Sequence, residues 1–178
     1  MAIDNLDAIV RAGRRQKLFT PAPGNAVSLD RPEIERLVQH RDPFLFVDRI
    51  SAVNKEQLAI LGSRQIDPND PLFRGHFPGT PIYPGVLQLE MMGQLGLCLL
   101  GLLQDGRLAG GAESAPRAAR ALKIHHAVFL TPVHPGDILD ILAKVIESDE
   151  YTAICAGQIA LGDTICAFAV MEVFFVDS

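Results

Sequence analysis

His76 and Glu90 are the two residues of the sequence whose types and spacing best suit acid–base chemistry. His76 stands in a loop dense in glycine and proline, FRGHFPGTPIYPG, and Glu90 stands inside the apolar run that follows. Imidazole exchanges protons near neutral pH. Desolvation among apolar side chains should raise the pKa of the Glu90 carboxyl and prepare it to donate a proton. Either residue alone would more often be a turn histidine or a solvated helix glutamate, but together they form a candidate acid–base pair.

The element that must hold Glu90 is a long helix. No proline or cluster of turn residues interrupts residues 86–103, and Pro84 stands where a helix begins, a position that tolerates its missing N–H. The run is apolar nearly all round, which is typical of a helix buried on most sides. A membrane span is the alternative, but Gln88, Glu90 and Gln94 oppose it because an intramembrane carboxylate is costly. We therefore predict a central core helix of about five turns and no membrane span.

Strands surround this helix in the predicted fold. Four long segments follow it and two shorter segments precede it, separated by short breaks of turn-forming residues. Short breaks mean antiparallel neighbours, and one buried helix against such a sheet makes an α+β domain. The predicted strands are 44–53, 57–66, 117–129, 137–148, 151–161 and 164–175. A short helix over 31–39, with Asp30 as its N-cap, is predicted to precede them.

Size and composition indicate one domain behind a leader. With 178 residues and 48% hydrophobic content, the chain can bury a sizeable core. We expect residues 1–30 to be a leader and residues 31–178 to be the domain. Four apolar residues of the leader have the spacing of a short amphipathic helix, namely Ile3, Leu6, Ile9 and Val10. Asp4 and Asp7 dilute its basic face, so we expect it to lie on its own domain or a partner subunit rather than on a membrane.

Other chemistries have little support in the sequence. His125 and His126 are adjacent, so in a regular strand they point to opposite faces and are awkward ligands for one ion. His134 adds a third histidine, but no acidic or cysteine set completes a zinc site. The sequence carries no GxGxxG, GKS or GKT phosphate loop and no GxSxG nucleophile motif. We therefore expect no metal and no cofactor.

Three segments of the chain resemble one enzyme family. GHFPGTPIYPGVLQLEMMGQ is similar to the active-site segment of the 3-hydroxyacyl-(acyl carrier protein) dehydratases, which have the hotdog fold. HRDPFLFVDRI, residues 40–50, resembles the early motif of the family, and FLTPVHPGDIL, residues 129–139, resembles its later turn. The resemblance covers roughly residues 33–176. It implies an α+β hotdog fold in which an antiparallel sheet wraps around a long central helix.

The resemblance also implies a reaction and the roles of its residues. The family removes water from 3-hydroxyacyl thioesters to give trans-2-enoyl thioesters in acyl-chain synthesis. His76 would be the base that takes the C2 proton. Glu90 would be the acid that protonates the departing hydroxyl, through a hydrogen-bonded water.

The same resemblance assigns candidate substrate-binding residues. Gly85 stands at the helix start, where its N–H and the helix dipole suit the thioester carbonyl, and Val86 supplies a neighbouring amide. Phe77, Tyr83 and Gln94 complete the candidate set. In the family, the two catalytic residues of one site come from different subunits, which implies at least a homodimer.

The identity of the carrier is a separate question. The carrier that the resemblance implies is an acyl carrier protein, and coenzyme A is the alternative. Carrier proteins are acidic, and we expect Arg74, two residues before His76, to assist docking beside a basic rim. The candidate rim residues are Arg107, Arg117, Arg120 and Lys123. Solvated surface arginines and lysines are the alternative interpretation.

Charge and cysteine content bound the compartment and the partners. The net charge of −5 argues against a nucleic-acid partner. Residues 1–30 contain no long apolar run typical of a secretory signal. The three cysteines, Cys98, Cys155 and Cys166, are odd in number and lie among apolar residues, so we expect buried free thiols and a cytoplasmic enzyme. A hotdog thioester hydrolase or a non-catalytic acyl-binding subunit remains the alternative function.

Overall fold

One long helix lies against a single antiparallel sheet in this chain. The computed structural model describes residue 3, residues 5–104 and residues 118–176. Its helices are α1 (Leu6–Gly13), α2 (Arg31–Leu37) and α3 (Gly85–Gln104). Its strands are β1 (Ala26–Asp30), β2 (Arg49–Asn54), β3 (Ala59–Gln65), β4 (Ala119–Phe129), β5 (Ile138–Ser148), β6 (Thr152–Leu161) and β7 (Thr164–Phe175). This confirms the predicted α+β architecture with a central helix.

The sheet has seven strands in the order β1-β2-β3-β5-β6-β7-β4, and every neighbouring pair is antiparallel. The hairpins β5–β6 and β6–β7 follow directly from the short breaks in the sequence. β4, by contrast, crosses to the far edge, where β7 is its only partner among the described strands. One long edge of the sheet is therefore unpaired within residues 5–104 and 118–176.

α3 packs its apolar side chains onto the inner face of the sheet. Met91, Leu95 and Leu99 are fully buried, as expected for a helix that faces the core. Gly157 on β6 allows this close approach, because a Cβ there would lie 2.5 Å from the Cβ of Met92. The helix is long and apolar enough to span a membrane, but 56% of its most apolar window is buried within the domain. This burial is typical of a core helix.

The predicted strand over 44–53 starts too early. β2 begins at Arg49, and the backbone joins β3 only from Asp48, whose N–H donates to Ser63 O, because the backbone of Phe44 and Phe46 is bonded to α3. The side-chain amide of Gln94 donates to Phe44 O at 2.8 Å and accepts from Phe46 N–H at 2.8 Å. The alternating apolar pattern of these residues is real, but a helix side chain satisfies their main chain. The other predicted strands agree with the structure to within two residues in the part of the chain that the structure describes.

The predicted leader contacts the domain along much of its length. β1, which the sequence analysis did not predict, pairs with β2. α1 lies on the outer face of the sheet, where Leu6, Ile9 and Val10 pack around Phe168 and Val170 of β7. The expectation that this helix lies on its own domain is therefore confirmed. The division of the chain at residue 30 stays a prediction.

A buried glutamine on β6 fixes the segment that follows α1. The Gln158 amide donates to the carbonyl oxygens of Gly13 and Gln16, the latter at 2.7 Å, and accepts from Leu18 N–H at 2.8 Å. Gln158 is fully buried, so these three backbone groups supply its hydrogen bonds away from water. The outer face of β6 and β7 is thereby covered by residues 5–20 of the same chain.

The two adjacent histidines do not point to opposite faces as predicted. The register of β4 against β7 shifts between Ile124 and His126, which places an irregularity at His125. His125 Nε2 lies 2.7 Å from a Glu172 carboxylate oxygen, and the His126 ring lies 6.2 Å from the Phe168 ring. Phe168 and Glu172 are four residues apart on one strand and share its outer face. Both imidazoles therefore reach the same face.

The described cysteines are all free and buried, as predicted. Burial raises the pKa of both Cys98 and Cys155 to about 12, and that of Cys166 is raised for the same reason. Buried neutral thiols of this kind behave as small apolar side chains.

Candidate active site

The loop that carries His76 holds its imidazole in one tautomer. A short 3-10 turn, Pro71–Arg74, precedes it, and His76 N–H donates to Leu72 O at 3.0 Å. The ring nitrogen Nδ1 lies 2.9 Å from Ile82 O. A carbonyl oxygen only accepts, so Nδ1 carries the proton and Nε2 keeps its lone pair. His76 is thus arranged to accept a proton at Nε2.

The rest of the loop folds back on this histidine. Ile82 N–H donates to His76 O at 3.1 Å, and Thr80 N–H donates to Phe77 O at 3.1 Å. Gly79 has a φ of +77°, a left-handed conformation that favours glycine and tightens the turn. The Phe77 ring stacks on the His76 ring with centroids 4.1 Å apart. The imidazole is therefore restrained by the backbone on one side and by an aromatic ring on the other.

His76 opens onto a pocket of about 430 Å³. Three of the predicted substrate-binding residues, Tyr83, Gly85 and Val86, line the same pocket. Burial raises the pKa of Tyr83 to about 12, so its phenol stays neutral at physiological pH. The other lining residues are Ile82, Pro84, Gln88, Phe129, Leu130, Thr131 and Pro132. The wall is mostly apolar, as expected for the site of an acyl group.

The start of α3 faces this pocket. In the described chain, the N–H groups of Gly85 and Val86 donate to no other group, as is usual in the first turn of a helix. These donors and the helix dipole favour a partly negative oxygen at this position. A Cβ at Gly85 would lie 2.8 Å from the Phe129 ring, so a larger residue here would displace this ring. The geometry supplies two backbone donors beside the imidazole of His76.

Glu90 lies one helical turn beyond Val86, in a separate cluster. Its Oε1 accepts from the Gln94 amide at 2.9 Å and lies 3.3 Å from His40 Nε2. Gln94 in turn bonds Phe44 O and Phe46 N–H, which ties the carboxylate to the loop between α2 and β2. The predicted site residues Glu90 and Gln94 are therefore together, but they belong to a polar cluster and not to the wall of the His76 pocket.

The predicted rise in the pKa of Glu90 is wrong. The hydrogen bond from His40 lowers the pKa of the Glu90 carboxyl, and the bond from Gln94 adds to this effect. Desolvation acts in the opposite direction but is outweighed. The sequence around Glu90 is apolar, yet its polar partner His40 comes from fifty residues earlier in the chain. Charge-assisted hydrogen bonds to a carboxylate favour its ionised form.

Within the described chain, no hydrogen bond or ion pair joins His76 to Glu90. Their expected proximity around one helix start is met only in part: both lie near the first two turns of α3, in different clusters. Val86 and Glu90 share one face of the helix, since they are four residues apart. Val86 is 69% exposed, so this face is open in the single chain.

Sequence reasoning missed three residues of these clusters. His40 was visible in the early HRDPF motif but was not connected to Glu90. Gln88 is buried and lines the His76 pocket, and its Oε1 has no hydrogen-bond partner in the described chain. Its position three residues after Gly85, on the same side of a helix, was a readable signal. Phe129, which packs on Gly85, gave no signal because the contact spans over forty residues.

The predicted basic rim is described only in part. Arg74 is exposed and borders a surface hollow with Gly79 and Pro81 of the His76 loop. Arg120 and Lys123 are exposed on β4. Arg107 and Arg117 lie outside the described residues.

Known proteins are similar to this chain in sequence and in fold. A FabA-like domain matches residues 38–170. The 3-hydroxyacyl-(acyl-carrier-protein) dehydratase FabZ of Sulfurimonas denitrificans is 35% identical over 149 residues, which cover 84% of this chain and 98% of that protein. The dehydratase heterocomplex ApeI:P from Xenorhabdus doucetiae has a similar structure, with a TM-score of 0.65 at 18% identity over 82% of this chain and 91% of that one.

A second solved structure is also similar to this chain in fold. The PaaI protein from the phenylacetic acid degradation operon of E. coli gives a TM-score of 0.52 at 14% identity, over 72% of this chain and 79% of that one. At such low identities the two structures establish the fold alone. Together, the sequence matches, the loop-and-helix motif and the shared hotdog fold establish that this chain belongs to the 3-hydroxyacyl-(acyl carrier protein) dehydratase family.

Proposed function

We propose that this chain catalyses the dehydration of 3-hydroxyacyl thioesters to trans-2-enoyl thioesters in fatty acid synthesis. The observation that carries the proposal is the His76 pocket: an imidazole that keeps the lone pair on Nε2 lines the same pocket as two N–H groups at the start of α3 that have no partner among the described residues. FabZ, at 35% identity over nearly its whole length, is named for this reaction. The proposed base, acid and backbone donors are all groups of this chain.

His76 begins the reaction as the general base. Its Nε2 takes a proton from C2 of the substrate, while Ile82 O holds the Nδ1 proton and stabilises the imidazolium that forms. Negative charge then develops on the thioester oxygen. The N–H groups of Gly85 and Val86 stabilise this oxygen, since they already point outward from the helix start.

Glu90 completes the reaction as the acid. It delivers a proton to the hydroxyl on C3, the C3–O bond breaks, and water leaves. In the reverse direction the Glu90 carboxylate accepts a proton from the attacking water. Because the pKa of Glu90 is lowered, the ionised form dominates in the free protein at neutral pH, which suits the hydration direction. Dehydration uses the protonated form of Glu90. Its proton passes to the C3 hydroxyl directly or through a water.

We also propose that the protein is a homodimer with composite sites, in which His76 of one subunit faces Glu90 of the other. Two features of the single chain support this proposal. β4 is an unpaired edge of eleven residues, and its Leu122 and Ile124 are 57% and 54% exposed. Long apolar strand edges are sites at which another chain can pair.

The open face of α3 is the second supporting feature. Val86, Glu90, Gly93 and Leu97 follow one another at helical spacing, and none of them is fully buried. Val86 is exposed and the other three are partly buried, and three of the four lack a polar side chain, which is typical of a surface that another subunit covers. A partner there would bring its own His76 loop toward Glu90.

An acyl carrier protein is the proposed carrier of the substrate, with Arg74 as a docking residue. Arg74 is exposed, two residues before His76, at the rim of a hollow formed by the same loop. An acidic partner would be attracted to such a residue. We further propose a cytoplasmic location, supported by three free cysteines that are all buried.

Parallel assays separate dehydration from hydrolysis. The purified protein is incubated with a crotonyl thioester, and the loss of enoyl absorbance is followed in the ultraviolet while free thiol is measured in the same sample. We expect the absorbance to fall by hydration without release of thiol. Thiol release would instead identify a thioester hydrolase, and the absence of both changes would identify a non-catalytic acyl-binding subunit.

A further inference from the structure

Both described contacts of the Glu90 carboxylate fall on the same oxygen. The Gln94 amide donates to Oε1 at 2.9 Å, and His40 Nε2 lies 3.3 Å from the same atom. In the part of the chain that the structure describes, Oε2 receives no hydrogen bond. The side chain is 34% exposed, and its described partners hold Oε1 alone.

The surroundings of His40 define how it makes this contact. Its Nδ1 is buried and has no hydrogen-bond partner among the described groups. A buried lone pair without a partner is less costly than a buried N–H donor without one, which favours the tautomer that has its proton on Nε2. Nε2–H then donates to Glu90. The ring is stacked against Phe44, with centroids 6.3 Å apart, and it lines a small cavity of about 30 Å³ beside Leu97.

The two donors share a single mechanical support. Gln94 is buried and also bonds the main chain of Phe44 and Phe46, which belong to the same loop as His40. Helix α3 and this loop therefore fix Oε1 from two directions. Such an arrangement restricts the rotation of the carboxylate about its last bond.

We propose that His40 is a positioning residue of the dehydration site, which with Gln94 holds Oε1 of Glu90 and turns Oε2 toward the reacting hydroxyl. The proposal rests on the dehydratase function proposed above. It assigns one carboxylate oxygen to the scaffold and the other to the chemistry. His40 does not touch the substrate and is not consumed.

The proton balance of the step gives His40 its energetic role. The proton on Oε2 passes to the oxygen on C3, the C3–O bond breaks with its electron pair, and water departs. Glu90 is left as a carboxylate. The Nε2–H of His40 then donates to the negative charge that has formed on it, so the hydrogen bond is stronger after the transfer than before.

This arrangement has a consequence for pH dependence. His40 is the only charged or titratable group that contacts Glu90 in the described chain, while Gln94 is neutral; in the proposed dimer, the partner subunit's His76 would also face it. Losing the His40 bond should raise the pKa of Glu90, because this bond is the largest cause of its lowering. The acid limb of kcat/KM, which reports the lower of the two site pKa values, should then move to higher pH.

The test compares His40→Phe, which keeps an aromatic ring but removes the donor, with His40→Gln, which keeps an amide N–H of similar reach. His134→Gln is the matched control, since His134 is exposed and has no described contact with Glu90. The pH dependence of kcat/KM is measured for each, and the Glu90 carboxyl is titrated by 13C NMR. Circular dichroism confirms folding.

We expect His40→Phe to lower kcat about tenfold to a hundredfold, the effect of losing one hydrogen bond to a charged group, with little change in KM. Its acid limb and the NMR titration of Glu90 should both move to higher pH. His40→Gln should restore most of both, and His134→Gln should resemble the wild type. If His40→Phe does not fold, His40→Asn, whose amide is too short to reach Oε1, replaces it.

The proposal is overturned if the acid limb and the Glu90 titration do not move when the contact is removed, even if kcat falls, because His40 would then only support the fold. It is also overturned if His40→Gln behaves like His40→Phe. The NMR titration requires no turnover. A wild-type protein without dehydratase activity would therefore contradict the proposed function, while the titration would still decide whether His40 controls Glu90.

Discussion

Two titratable residues of this chain are prepared for opposite roles by different surroundings. The Ile82 carbonyl fixes the proton of His76 on Nδ1 and leaves the lone pair on Nε2, as the proposed base requires. His40 and Gln94 hold Glu90 by one oxygen and lower its pKa. Backbone and side-chain hydrogen bonds provide both arrangements. The state of each residue thus depends on its hydrogen-bond partners as well as on its type.

Arg74 gives a prediction about the carrier. Arg74→Glu should raise KM for a carrier-linked 3-hydroxyacyl substrate and reduce the salt dependence of the reaction, because opposite charges guide encounter. A short N-acetylcysteamine thioester should be little affected. Steady-state kinetics with both substrates, at several salt concentrations, make the comparison.

Lys55→Glu is a suitable control for the Arg74 variant, since it reverses an exposed charge in the turn between β2 and β3. It should leave both substrates unchanged. Equal loss on the two substrates in Arg74→Glu would show that Arg74 supports the His76 loop, and the docking role would be wrong.

The sequence indicated candidate residues for the site more readily than it indicated their state. His76, Gly85 and Glu90 stay predictions that rest on one long motif, which places a histidine, a helix start and a carboxylate in order. The pKa of Glu90 could not, because its direction is set by His40 from a distant loop. Gln94 was predicted to bind substrate, but its described bonds all go to the protein. Local pattern gives residue types, and only the fold gives their partners.

At the scale of elements, the first part of the chain has a structural role that its sequence only suggested. α1 covers the outer face of β6 and β7, and Phe19 is buried in a second apolar cluster on that side. All the interior residues of β6 are buried. A strand of an antiparallel sheet that packs on a helix on one side only would normally expose its other face to solvent. The leader thus supplies the second layer that this strand requires.

Gln158 should contribute strongly to the attachment of this layer. Gln158→Ala would leave Gly13 O, Gln16 O and Leu18 N–H without their partner. We expect a loss of roughly 1–3 kcal/mol in the free energy of unfolding, the cost of buried backbone groups left unpaired. Urea denaturation measures the loss, and hydrogen exchange should show faster exchange in α1 than in α3.

Gln57→Ala is the matched control, because Gln57 is exposed in the turn that precedes β3. It should unfold like the wild type. If Gln158→Ala had the same stability and the same exchange in α1, the bonds from Gln158 would not be what holds the leader.

Two element-level predictions from sequence failed for the same physical reason. The segment before β2 alternates like a strand, yet its main chain bonds to Gln94. His125 and His126 would point apart in a regular strand, yet a shift of register brings both to one face. In each case the hydrophobic pattern was correct, but it does not record which group satisfies the backbone. The central helix and the hairpins were predictable because their hydrogen bonds are local or between neighbours.

At the scale of the whole molecule, the single chain leaves two surfaces open beside the two clusters. One is the free edge of β4, and the other is the stripe of α3 that runs past Val86 and Glu90. No described contact joins His76 to Glu90, and the proposed dimer would let a second copy supply the other half of each site.

Subunit mixing tests the composite site. His76→Ala and Glu90→Gln chains are each expected to be inactive, but in a mixed dimer one of the two sites would have both residues. We expect activity to return when the two variants are unfolded together and refolded. Native mass spectrometry of differently tagged chains measures the fraction of mixed dimers. No recovery in a sample that contains mixed dimers would place both residues of a site on one chain.

The most direct test of the central claim is the intact mass of a 3-hydroxyacyl-loaded acyl carrier protein after incubation with the enzyme. We expect the wild type to lower the mass of the loaded carrier by one water while the acyl group stays on the carrier. His76→Ala and Glu90→Gln, with native circular dichroism, should be slower by about a hundredfold to ten-thousandfold. Loss of the whole acyl group, no change of mass with the wild type, or near-normal rates in either variant would contradict it.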